Sequence, residues 1–136
     1  MVKKILILAG GYSKEKEISI QTAKSVLSEL NKDKKHILRV VNPDGQFIKV
    51  LRNFKPNVVL NLLHGRYGED GYIQAILESE KVKYTHSGVL SSSLAIDKEI
   101  SKKIYIKNKI LTPKYLKFSF KKKINNKRFS FQLEKN

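Results

Sequence analysis

Apolar residues occur at two spacings along this chain, and the alternation between the spacings predicts its architecture. Lys4-Ile5-Leu6-Ile7-Leu8-Ala9 is a continuous apolar run followed by two glycines, as expected of a central parallel strand buried on both faces. Ile18, Thr22, Ala23, Val26, Leu27 and Leu30 then recur at helical spacing and predict a helix of about four turns. Ser13 is placed to cap that helix, and Glu15 and Glu17 fall near its positive end. His36 to Val41 reads as a second strand, stopped by the turn Asn42-Pro43-Asp44-Gly45. Phe47, Val50, Leu51 and Phe54 mark a short amphipathic helix ended by Pro56. Val58-Val59-Leu60 is a third strand, and Tyr72, Ile73, Ile76 and Leu77 predict a helix from about Asp70 to Glu80.

Val82-Lys83-Tyr84 reads as a short fourth strand. Asp97-Lys98 opens a charged helical stretch in which Ile100, Ile104 and Ile110 face inward, with Asn108 in the left-handed position that closes it. Pro113 starts an extended piece through Phe118. Strands alternating with helices, joined by right-handed crossovers, predict an α/β fold built on a doubly wound parallel sheet. Residues 117–136 break the pattern: Phe118, Phe120, Phe129, Phe131 and Leu133 alternate with polar residues, as in strands whose partners lie elsewhere.

Composition narrows the function classes. The 136 residues make about one domain, with no cysteine for a disulfide, a thiolate metal site or a thiol nucleophile. The three histidines lack zinc-ligand spacing. No apolar run approaches the roughly 20 residues of a membrane span, and Met1-Val2-Lys3-Lys4-Ile5 opens a strand, so the chain reads as cytoplasmic. A formal charge of +16 raises the alternative of a basic nucleic-acid-binding protein. Against it, the excess is spread along the chain and is mostly lysine, which fits A/T-rich codon usage as well as it fits a binding surface.

Candidate chemistry lies in two strand-to-helix loops, where ligands of open parallel sheets bind. The first, Gly10-Gly11-Tyr12-Ser13-Lys14-Glu15, lacks the third glycine of the dinucleotide fingerprint and the Gly-Lys-Ser/Thr of a P-loop. Its glycines are either a tight turn or a place of close approach, and Glu15 is either a dipole complement or a fixed anion for a substrate ammonium. The second is Leu62-Leu63-His64-Gly65-Arg66-Tyr67-Gly68-Glu69-Asp70-Gly71. Here His64 is either a hydrogen-bonded strand end or a reactive group. Arg66 between glycines suits carboxylate or phosphate oxygens, and Asp70 is most simply the N-cap of the next helix. Asp97 and Lys98 read as an ordinary cap and surface lysine, while His36 and His86 have structural readings alone.

Taken together, Gly10-Gly11-x-Ser13-x-Glu15-x-Glu17-x-Ser19, Leu63-His64-Gly65-Arg66-x-Gly68-Glu69-Asp70-Gly71 with Gln74 and Leu77, Tyr84-Thr85-x-Ser87-Gly88-Val89 and Asp97-Lys98 resemble the N-terminal domain of D-alanine:D-alanine ligases. The resemblance covers nearly all of residues 3–116. It implies a Rossmann-like, pre-ATP-grasp domain at 1–116 and, at 117–136, the basic start of a central ATP-grasp domain. It also implies a peptidoglycan-precursor enzyme using ATP and Mg²⁺ (or Mn²⁺), in which ATP phosphorylates one D-alanine and the amine of a second attacks the acyl phosphate. By motif position Glu15 would hold the first ammonium, His64 would lie near the reacting carboxylate, and Lys98 would approach the nucleotide. Gly10, Gly11, Ser13, Gly65 and Arg66 would complete the substrate loops.

His86 departs from the family, which usually has glycine there. The family's phosphate-binding lysine, serine loop and magnesium carboxylates fall in domains beyond Asn136. Residues 1–136 are therefore expected not to make the dipeptide alone, and to need those domains or a separately encoded partner chain. The family also suggests a homodimer. A stand-alone small-molecule binding or interaction domain is the remaining alternative.

Overall fold

A computed structural model describes residues 1–117. Residues 1–101 form one compact unit, and the stretch from Lys102 is a second, described by itself. In the first unit β1 (Lys4–Leu8) is followed by α1 (Lys16–Lys32), β2 (Ile37–Val41), α2 (Phe47–Phe54), β3 (Val58–Asn61), α3 (Tyr72–Ser79) and α4 (Val89–Ile96). α5 (Lys98–Lys107) begins in it. The three strands pair in parallel in the order β2-β1-β3, with Leu6 beside Arg39 on one side and Val59 on the other. The expected doubly wound α/β fold is present.

β1 is central because it can afford no solvent on either face: Leu6, Ile7 and Leu8 are fully buried. Its alternation divides the core in two. Leu6 and Leu8 pack with Phe47 and Leu51 of α2 and with Ile73 and Leu77 of α3. Ile5, Ile7 and Ala9 face Ala23, Leu27 and Leu30 of α1. A bidentate Arg52–Glu80 pair (2.8 and 2.6 Å) ties α2 to the end of α3, and the guanidinium holds the Glu80 carboxyl below the usual carboxylate range. The Tyr84 hydroxyl donates to Glu78 (2.7 Å), and burial together with that carboxylate pushes the phenol up to about 12.

Several expectations need correction. The fourth strand is a single bridge, Tyr84 beside Val59, with two backbone hydrogen bonds (2.8 and 3.0 Å). Left-handed residues at Lys81 (φ +56°) and His86 (φ +88°) bend the backbone on either side of it, so pairing cannot spread. Ile18 is exposed, and the buried face of α1 runs through Ser19 and Ala23 instead. Ser13 does not cap α1, whose N-cap position is Glu15: its hydroxyl accepts the N–H of Glu15 itself and donates across the loops to the His64 carbonyl. Asp70 acts one residue early: Gly71 (φ +95°) is the N-cap of α3, and the Asp70 carboxylate receives the Tyr72 and Tyr67 N–H groups.

Asp97 does cap α5, accepting from Glu99 and Ile100 N–H (2.9 and 3.0 Å). Ile100 is exposed rather than buried. In the second unit Lys109 (φ +57°), not Asn108, turns left-handed, because the Asn108 amide donates to the Ile104 carbonyl (2.9 Å). Ile110 there is exposed. Lys102 donates to Thr112 and the Pro113 carbonyl (2.9 and 2.7 Å). The expected alternating strands from Phe118 onward lie outside the described residues.

Lysine occupies left-handed positions repeatedly. Lys34 (φ +47°) follows α1, Lys55 (φ +49°) closes α2 through its N–H on the Leu51 carbonyl, and Lys81 follows α3. Pro56 disfavours right-handed helical geometry at the residue before it, so α2 cannot continue through Lys55. His86 is the most extreme case and stands where glycine was expected. Left-handed backbone costs an L side chain about 1–2 kcal/mol, part of which glycine returns as unfolded-state entropy. His86→Gly should therefore raise stability by about 1 kcal/mol, measured by urea unfolding, where an unchanged midpoint would refute the strain.

Candidate functional site

The order β2-β1-β3 reverses direction between β1 and β3, and the loops leaving those two strands open a crevice at their carboxyl ends. Gly10 (φ +94°) and Gly11 (φ +82°) turn the first loop. A Cβ on Gly10 would fall 2.7 Å from Asn42 Oδ1, the atom that receives the Gly11 N–H at 2.8 Å. Close approach as well as φ therefore requires glycine here. Asn42 was read only as part of a turn, and its role depends on a contact that spacing cannot show.

Serine hydroxyls join the two loops. Ser19 is fully buried, accepts the Gly10 N–H (2.9 Å) and donates to the Leu62 carbonyl (2.6 Å). Ser13 accepts the Glu15 N–H (3.1 Å) and donates to the His64 carbonyl (2.7 Å). The Glu15 carboxylate thereby comes over Gly65 (φ +70°): a Cβ there would stand 2.7 Å from Glu15 Oε2. Ser13, Glu15, His64 and Gly65 are thus brought together. Among the described residues no cation lies within ion-pair distance of Glu15.

His64 is half-buried. Its Nε2 lies 3.3 Å from Thr22 Oγ1 and its Nδ1 3.9 Å from Glu69 Oε1. The other Glu69 oxygen accepts the Gly65 N–H at 2.7 Å. Beneath the loop, the Gly68 carbonyl receives both the Asn61 and Gln74 amides at 2.9 Å, and Asn61 Oδ1 takes the Leu63 N–H (3.2 Å). Asn61 and Gln74 are each 1% exposed, so this clamp works in a dry setting where its bonds are costly to break. The Gln74 side-chain carbonyl oxygen is buried without a partner among the described residues.

Cavities flank this core. One of about 580 Å³ is lined by Gly10, Gly11, His64 and Arg66 with Tyr12 and Leu63, but not by Ser13, Glu15 or Gly65. Arg66 is exposed, its guanidinium 5.2 Å from the Tyr67 ring centre. Lys98 is not brought to this cavity; with Glu69, Gln74, Ser87 and Ser92 it lines a second of about 300 Å³. Glu69 reaches both His64 and the Lys98 cavity. Among the described residues no group of three or more His, Cys, Asp or Glu side chains is arranged to hold a metal ion. No helix among them is long and apolar enough to cross a membrane.

No protein-family model matches the chain. Curated relatives do: the D-alanine:D-alanine ligase of Pelagibacter ubique is 62% identical over 122 residues, 90% of this chain and 40% of that protein. The ligase of Carboxydothermus hydrogenoformans is 38% identical over 130 residues, 96% of this chain and 41% of that one. The chain thus spans about two fifths of the length of these relatives. Among solved structures, the Bacillus anthracis D-alanine:D-alanine ligase complexed with ATP superposes with a TM-score of 0.74 at 32% identity, over 95% of this chain and 44% of that one. The Coxiella burnetii ligase, at 23% identity and a TM-score of 0.76, shares the fold. With both crevice loops in place and sequence and fold in agreement, the chain belongs, as an amino-terminal region, to the D-alanine:D-alanine ligase family.

Proposed function

We propose that this chain supplies the first D-alanine site of an ATP-dependent ligase that makes D-alanyl-D-alanine for peptidoglycan in the cytoplasm. The observation that carries the reading is the Glu15 carboxylate lying over Gly65, one residue from His64, at the sheet's switch point. An ammonium needs an anion, and Glu15 offers one without a competing cation among the described residues. With the ammonium there, the substrate carboxylate falls toward His64 and Arg66, and the Arg66 guanidinium is a positive donor suited to charge that builds up as the carboxylate is activated. Gly10, Gly11 and Gly65 let backbone approach the small substrate closely.

ATP with Mg²⁺ (or Mn²⁺) would supply the phosphoryl group that activates the first D-alanine. The amine of the second then displaces phosphate. Lys98 and the serine hydroxyls around it form a cavity whose donors fit phosphate oxygens, so we assign that side to the nucleotide. Residues 1–116 are the substrate-binding domain in this reading, and 117–136 lead toward the region that completes the site. Pairing of two copies follows from the same family reading.

Joining this chain to the remaining three fifths of the Pelagibacter ubique relative gives the direct test. The fusion should release phosphate from ATP in the presence of D-alanine, with D-alanyl-D-alanine as product and L-alanine inert. A soluble, folded fusion without that activity would refute the proposal.

A further inference from the structure

We infer that Thr22 is a positioning residue for His64, fixing its proton on Nε2 so that Nδ1 is the nitrogen left to exchange a proton. The inference deepens the ligase reading and, for its use in catalysis, rests on it. Thr22 sits in α1, outside both loops, and its spacing suggested only a core-facing helix position.

The argument is a count of protons. The Thr22 hydroxyl has one proton and donates it to the Ile18 carbonyl at 2.9 Å. Toward His64 Nε2, 3.3 Å away, the Thr22 oxygen can then only accept. A neutral imidazole carries one N–H, so the hydrogen-bond network assigns it to Nε2 and leaves a lone pair on Nδ1. Nδ1 faces the Glu69 carboxylate at 3.9 Å. A proton taken up at Nδ1 meets an anion, whereas one on Nε2 is held by the threonine. Glu69 is itself fixed by the Gly65 N–H, so the imidazole lies between an acceptor on α1 and a carboxylate on the loop.

The clamp gives His64 one orientation. Without it the ring is free to turn over, presenting either nitrogen to the crevice and losing the alignment on which a reacting group depends. Threonine at this place is thus a specification of which atom does the work. A valine of the same shape would keep the packing and lose the acceptor.

The test uses this chain as it stands, labelled with ¹⁵N, with the imidazole signals of its three histidines followed by long-range nitrogen–proton correlation. His64 is assigned by the signal lost in His64→Gln. The expected result is a protonated Nε2, its proton protected from exchange with water, and an unprotonated Nδ1. Thr22→Val should abolish the protected proton, and Thr22→Ser should retain it. A protected Nε2 proton that survives in Thr22→Val, or an Nδ1–H tautomer in the parent, overturns the inference.

In the fusion enzyme, Thr22→Val should lower kcat roughly tenfold, the size of one lost orienting hydrogen bond, with KM for D-alanine within about twofold. Thr22→Ser should recover the rate. Equal losses in both variants would make Thr22 a packing residue and overturn the positioning role. Should the nitrogen signals behave as expected while the parent fusion is inactive, the ligase reading fails and the tautomer assignment stands.

Discussion

Gly68→Ala should unfold the crevice loop and cost the domain about 3 kcal/mol, as much as a large core truncation. A Cβ on Gly68 would collide with the Leu63 Cβ and stand 3.1 and 3.3 Å from the Leu63 carbonyl carbon and Cα. Backbone cannot be pushed aside as a side-chain tip can. Nor can Gly68 retreat, because its carbonyl carries the amides of Asn61 and Gln74, and moving it leaves both buried and unpaired. For a unit of about 100 residues such a loss lowers the melting temperature by roughly 15 °C. Gly45→Ala is the control, since a Cβ there meets nothing within 4 Å. Calorimetry showing equal melting points for the two variants would disprove the clamp.

Glu15→Gln should reduce kcat/KM for the first D-alanine by two to three orders of magnitude in the fusion enzyme while leaving KM for ATP within about twofold. The substitution preserves shape and removes the charge. An ion-paired, hydrogen-bonded ammonium loses about 3–4 kcal/mol when its anion goes, which sets the factor. ATP should be spared on the proposed assignment of Lys98 to the nucleotide, since Lys98 lines a different cavity from the crevice where Glu15 meets the His64 loop. Steady-state kinetics with each substrate varied in turn decides the matter. An unchanged D-alanine constant removes Glu15 from the site.

Much of this was legible in the sequence, for identifiable reasons. β1 shows itself because, after the exposed Lys4, a strand buried on both faces has no polar positions, and α2 because Phe47, Leu51 and Phe54 leave one face dry. Both crevice loops were found from glycines next to charged residues at strand ends. What the pattern missed depends on contacts between distant segments. Ser19 in place of Ile18 on the buried face of α1 makes sense only once its hydroxyl is seen to hold Gly10 and Leu62 together. Asn42, Asn61 and Thr22 act the same way, as polar side chains whose partners are 7 to 42 residues away. The fourth strand failed for a local reason, the left-handed residues on either side of it.

The left-handed lysines have a consequence for how this protein can change. Lys34, Lys55, Lys81 and Lys109 each hold a conformation that asparagine adopts more easily. Lysine and asparagine codons differ by a single base. These four positions therefore lie one point mutation from a modest gain in stability. Substitutions that remodel the crevice loops for another substrate are mostly destabilising, and proteins near their stability threshold tolerate few of them. Gains at these helix ends can offset the cost of substitutions in the crevice loops, and so widen the set of loop sequences that the fold tolerates.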